Sequence, residues 1–88
     1  NPGDPATIDS LGWVSYRLGK YDEAIKYLRD ALSKLPDPEV AAHLGEVLWV
    51  TGQHDEAMSI WKKVLANDPD NSTILETMER LTNGITGQ

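Results

Sequence analysis

The chain repeats itself at a fixed interval. "LGKYDEAIKYLRDAL" (18–32) returns as "TGQHDEAMSIWKKVL" (51–65). Gly12 and Gly45, Gly19 and Gly52, Ala24 and Ala57, and Pro36 and Pro69 are all 33 residues apart. Small residues and helix breakers that share one spacing define a structural period. Periods in this range mark helical hairpins that cannot bury their apolar faces alone and so must stack.

The same period places the helices. Asp4-Pro5 and Asp37-Pro38 each put a capping side chain before a proline, which at the first helical position gives up no useful donor. Helices are expected to start near Pro5 and Pro38 and to close at Gly19 and Gly52, since glycine takes the left-handed conformation that ends a helix. Second helices follow near 22–34 and 55–67, stopped by Pro36 and Pro69. A fifth, near 71–82, sets Ile74, Leu75, Met78 and Leu81 on one face and Thr73, Glu76, Thr77 and Arg80 on the other. The predicted organisation is a lead-in (1–4), one repeat (5–37), a second (38–71), a closing helix (72–82) and a flexible tail (83–88). The first helix is apolar on two sides. The stripe Ile8, Leu11, Val14, Leu18 is expected to pack on the helix after Asp22, while Ala6, Trp13 and Tyr16 face a groove or a preceding hairpin.

Composition narrows the chemistry. A domain of 88 residues buries only roughly 60–65% of its unfolded surface. There is no cysteine, and so no disulfide, thiolate metal site or catalytic thiol. No apolar run approaches the roughly 20 residues that span a bilayer. The net charge of −6 disfavours nucleic acid or an anionic membrane as the main partner. The first residue is Asn1, not Met, and the chain reads as a piece of a longer one.

These residues resemble the tetratricopeptide repeat (TPR) family, with its W-x2-L-G-x2-Y, A-x3-F, A and P pattern. The first copy reads Ile8-x2-Leu11-Gly12-x2-Ser15, Ala24-x3-Leu28, Ala31, Pro36; the second reads Ala41-x2-Leu44-Gly45-x2-Leu48, Ala57-x3-Trp61, Val64, Pro69. The departures are Ser15 for the aromatic, Val64 for the second alanine, and a spacing one short of the usual repeat. The resemblance implies an all-α fold, two hairpins plus a closing helix in an α-solenoid, acting as a non-enzymatic protein-binding adaptor or scaffold without a cofactor. "DSLGWVSYRLGKYDEA" and "LPDPEVAAHLGEVLWVTG" are also similar to closing repeats of long TPR proteins of gram-negative bacteria. Some of those are outer-membrane lipoproteins, which implies a periplasmic setting.

In this family the first helix of each hairpin lines a concave groove. Mapped here, that groove holds Asp9, Ser10, Trp13 and Arg17, then Glu39, His43, Glu46 and Val50, then Glu76, Thr77 and Arg80. The plain reading makes them ordinary exposed positions; Trp13, a residue type that anchors interfaces, favours function. The Lys, Arg and Asn clamp that some TPR domains close on a terminal carboxylate is missing, since Asp9, Trp13, His43, Thr73 and Thr77 stand in its places. Asp9, Glu39, Glu46 and Glu76 against Arg17 and Arg80 predict a preference for basic or apolar segments. His43 and His54, on separate helices, read as surface residues and not as metal ligands. Ser10, Ser15 and Ser33 have no visible base. A purely structural role, capping a longer array while partners bind elsewhere, is the competing reading. Weak self-association through the first helix is a further expectation.

Overall fold

Side-chain caps open three of the five helices. The computed structural model describes residues 3–86, with side chains for 3–82. The helices are α1 (Pro5–Arg17), α2 (Tyr21–Lys34), α3 (Pro38–Val50), α4 (His54–Asn67) and α5 (Ser72–Thr86). Asp4 accepts from the Thr7 N–H at 3.3 Å and Asp37 from the Glu39 N–H at 2.8 Å, each with a proline in the first turn. Asn71 accepts from the Ile74 N–H at 3.0 Å. These side chains satisfy amides that have no partner within their helix.

The two hairpin turns are built alike. Gly19 (φ 81°) and Gly52 (φ 89°) take the left-handed conformation. The Lys20 N–H returns to the Ser15 carbonyl at 2.8 Å and the Gln53 N–H to that of Leu48 at 2.8 Å. This pattern reverses the chain in three residues. The second helices therefore begin at Tyr21 and His54, one residue before the expected starts. An aromatic contact spans each turn: Tyr16 on Tyr21 (5.8 Å between centroids) and, 33 residues on, Trp49 on His54 (4.0 Å).

Glycine also decides how closely the hairpins shut. A Cβ on Gly12 would lie 2.7 Å from Leu28 Cγ, and one on Gly45 would lie 2.1 Å from Trp61 Nε1. Leu28 and Trp61 occupy equivalent places and both are fully buried. The Trp61 indole N–H is enclosed without a hydrogen-bond partner, pressed against the space that Gly45 leaves.

Burial is uneven between the hairpins. Helix α3 packs against α2, α4 and α5 and also meets α1. Its buried residues are Val40, Ala41, Ala42, Leu44, Gly45, Glu46, Val47 and Leu48. Only Ile8, Gly12 and Ser15 are buried on α1. The expected stripe is therefore corrected. Ile8 packs inward, but Leu11, Val14 and Leu18 are 43%, 55% and 67% exposed. Gly12 and Ser15 lie on the face turned to α2, and a helix with one close neighbour buries one narrow stripe.

The closing helix is rotated from its expected setting. Ile74 and Thr77 are buried and Leu75 is 42% exposed. Burying Thr77 leaves no unmet hydroxyl, because its Oγ1–H donates to the Thr73 carbonyl at 2.8 Å. The helix passes the predicted limit at 82 and runs to Thr86; of the expected tail, residues 87–88 lie outside the described residues.

The stack is curved. First helices meet in succession, α1 with α3 and α3 with α5, whereas no α-carbons of α2 and α4 come within 8 Å. A cleft of about 620 Å³ separates α2 from α4, floored by Ala41 and Leu44 and bridged by the Arg29–Glu56 ion pair. The concave side is therefore the side of α1, α3 and α5.

Candidate partner-binding face

The concave side carries one connected set of side chains from three helices. Trp13 of α1 stacks on His43 of α3 with centroids 4.2 Å apart and planes 27° apart. His43 Nδ1 lies 2.9 Å from Asp9 Oδ1. A carboxylate only accepts, so Nδ1 carries the proton and donates it there. Beside Trp13, at 5.0 Å, lies Tyr16, whose hydroxyl donates to Glu46 Oε2 at 3.1 Å. Glu46 then accepts from Arg80 of α5, Nη2 to Oε1 at 2.6 Å and Nη1 to Oε2 at 3.4 Å.

Glu46 is 7% exposed. A carboxylate in such a place must be paired and hydrogen-bonded to be tolerated, and Tyr16 and Arg80 meet that need. The Tyr16 phenol is pushed up to about 12, chiefly by burial and then by the Glu46 charge and hydrogen bond, against which Arg80 pulls down. Arg80 is held above the usual guanidinium range by its hydrogen bond to Glu46. On the convex side the same chemistry recurs. The Arg29–Glu56 hydrogen bonds raise the arginine and lower the carboxylate. That pair is exposed and adds only about 0–1 kcal/mol.

Of the groove residues named from sequence, the structure joins Asp9, Trp13 and His43 in one group and Glu46 and Arg80 in another. Thr77 is buried, so it is not an open groove position. Ser10 is exposed with its hydroxyl turned back to the Ala6 carbonyl at 3.1 Å. Arg17, Glu39, Glu76 and Val50 are exposed around the set. Tyr16, absent from that list, links the two groups. Its signal was its place three residues after Trp13 on the second apolar stripe.

Half of the acids read from sequence are engaged inside the face. The Asp9 and Glu46 side chains are 16% and 9% exposed and engaged by His43 and Arg80, whereas the Arg80 side chain is 59% exposed. With Arg80 engaged by Glu46, the open surface sets Glu39 and Glu76 against Arg17. Among the described residues no group of three His, Cys, Asp or Glu side chains could hold a metal ion. Nor is any helix among them long and apolar enough to cross a membrane.

Comparison with known proteins agrees with this architecture. The family described as tetratricopeptide repeat matches residues 15–81. A TPR repeat-containing protein of Pseudomonas aeruginosa is 60% identical over 43 residues, which cover 49% of this chain and 7% of that protein. The chain thus corresponds to a small part of that relative's length. Two hairpins with glycine-seated second helices, an added fifth helix and a family match over most of the chain lead to one assignment: the chain belongs to the tetratricopeptide repeat family.

Proposed function

We propose that this chain is a protein-binding module whose concave face holds a partner segment against Trp13. TPR repeats are in general protein–protein interaction modules, and the family is not an enzymatic one. The observation that carries the reading is the connected set Asp9, Trp13, Tyr16, His43, Glu46 and Arg80, drawn from α1, α3 and α5. Its hydrogen bonds hold the groove floor in one arrangement before a partner arrives, which lowers the ordering cost of association. With Asp9 and Glu46 paired internally, the part-exposed Trp13 ring is the anchor, suited to an apolar or aromatic side chain. A terminal carboxylate finds no basic clamp here.

A binding role is favoured over catalysis by the serines. The hydroxyls of Ser10, Ser15 and Ser33 donate to the Ala6 carbonyl, the Glu23 carboxylate and the Asp30 carbonyl, so none is paired with His43 or His54.

The test is a panel of peptides titrated onto the labelled protein. Peptides with apolar anchors are expected to shift the Trp13 and His43 resonances, and Trp13→Ala is expected to remove that binding at a temperature where circular dichroism shows the variant still helical. Binding that shifts only α2 and α4 would reject the groove.

A further inference from the structure

The cleft on the convex side has one wall from each hairpin. Leu32 of α2 and Ile60 and Val64 of α4 line it, over the floor of Ala41 and Leu44. Its volume of about 620 Å³ lies within the roughly 300–1,000 Å³ of small-molecule sites. The Arg29–Glu56 ion pair crosses it from wall to wall, with Nη2 3.0 Å from Oε1. Lys63 follows Glu56 by two helical turns, about 10 Å along α4, and Asn67 follows by one turn more.

The polar side chains of the lining divide by whether they are already satisfied. Arg29 and Glu56 hold each other. The Ser33 hydroxyl donates to the Asp30 carbonyl at 2.7 Å, and the Asp68 carboxylate accepts from the Asn71 side-chain amide at 3.1 Å. Among the described residues, Lys63 and Asn67 have no ion pair or side-chain hydrogen bond. Both line the cleft at i and i+4, so they share one face of α4. An ammonium only donates, and the asparagine amide donates beside it, so the pair suits an anionic acceptor. Along the rest of the cleft the side chains offer no free donor or acceptor. A peptide laid there would press unpaired amides against Leu32, Ile60 and Val64, a cost that a hydrocarbon chain does not carry.

We propose that the cleft between α2 and α4 binds a small amphiphile, a straight-chain carboxylate. Its hydrocarbon lies against Ala41, Leu44, Ile60 and Val64, and its head meets Lys63 and Asn67. Asp68 stands at the same end, so its charge opposes the head and sets a limit on affinity. Because the walls belong to different hairpins, an occupant fastens one to the other and stabilises the fold by mass action. This proposal does not rest on the Trp13 groove, which opens on the other side of the stack.

The probe is decanoate, titrated onto the intact 88-residue protein and followed by amide shifts and by melting. Saturable binding is expected, with shifts at Leu32, Ala41 and Val64, none at Trp13, and a Tm that rises with ligand concentration. Octanoate, two methylenes shorter, binds about tenfold more weakly. Lys63→Gln, at an exposed position, weakens decanoate about threefold and leaves decanol unchanged. Asp68→Asn, which can still accept from Asn71, tightens decanoate. Lys63→Glu turns the preference from decanoate to decylammonium. Shifts centred on the exposed Leu11 and Val14, affinity indifferent to Lys63, or no saturable binding would each overturn the proposal.

Discussion

The two hairpins share their caps, their turns and the glycine that seats the second helix, yet they differ in what they bury. Helix α3 buries eight residues and α1 three. A residue on a first helix is covered from one side by its own second helix and from the other by the adjoining hairpin. Among the described residues α1 is covered by α2 and touches α3, but no helix lies on it as α2 lies on α3. Stability in such an array is a sum of local and nearest-neighbour terms, so equal sequence does not mean equal contribution.

The largest expected effect sits in the second hairpin. Trp61→Ala should cost about 3–5 kcal/mol, as buried aromatic truncations do, and in so small a domain could unfold it. Leu28→Ala should cost about 2–5 kcal/mol, because Leu28 is also fully buried. Denaturant melts showing no loss at either site would break the equivalence of the two seats.

A sharper contrast comes from the first helices. Leu44→Ala is expected to cost about 2–5 kcal/mol, whereas Leu11→Ala should stay within about 0.5 kcal/mol. Equal losses would mean that Leu11 is covered in solution.

The glycines differ by what stands before them. Gly45→Ala should cost about 1–3 kcal/mol, since its Cβ would meet the enclosed Trp61 ring. Both variants gain up to about 1 kcal/mol of helix propensity, but Gly12→Ala meets Leu28 at a longer distance, so its net change is smaller. Equal melts for the two variants would remove this distinction.

The smallest effect is electrostatic and reads the contact between hairpins. The folded state raises the Tyr16 phenol to about 12, above its ordinary value of about 10. Folding therefore favours the protonated phenol. That contribution is complete below about pH 10 and is lost as the pH rises toward about 12. Ultraviolet difference titration should show a late tyrosinate step that is absent in Tyr16→Phe. In Glu46→Gln the step should move earlier but stay above the ordinary value, because burial is the larger cause.

Much of this is legible in the sequence. Asp-Pro pairs, Gly19, Gly52 and the 33-residue period located the helix ends because capping and left-handed φ are decided by a few adjacent residues. The faces were less legible. Leu75 and Thr77 exchanged roles, since at about 100° per residue they flank the buried Ile74 on opposite sides and a modest rotation of the helix trades one for the other. Tyr16 was read as part of an apolar stripe, and its hydrogen bond to Glu46 spans 30 residues.

By itself the sequence determined the repeat, the helix ends, the small-for-large seats at Gly12 and Gly45, and the family. All are local or periodic properties, set by spacing along one chain. Only the tertiary structure decided that Glu46 is closed off by Arg80, that Asp9 is held by His43, and that Leu11 and Val14 stand open where Leu44 and Val47 are covered. Those outcomes depend on which helix lies beside which, and no spacing within a single helix encodes its neighbour.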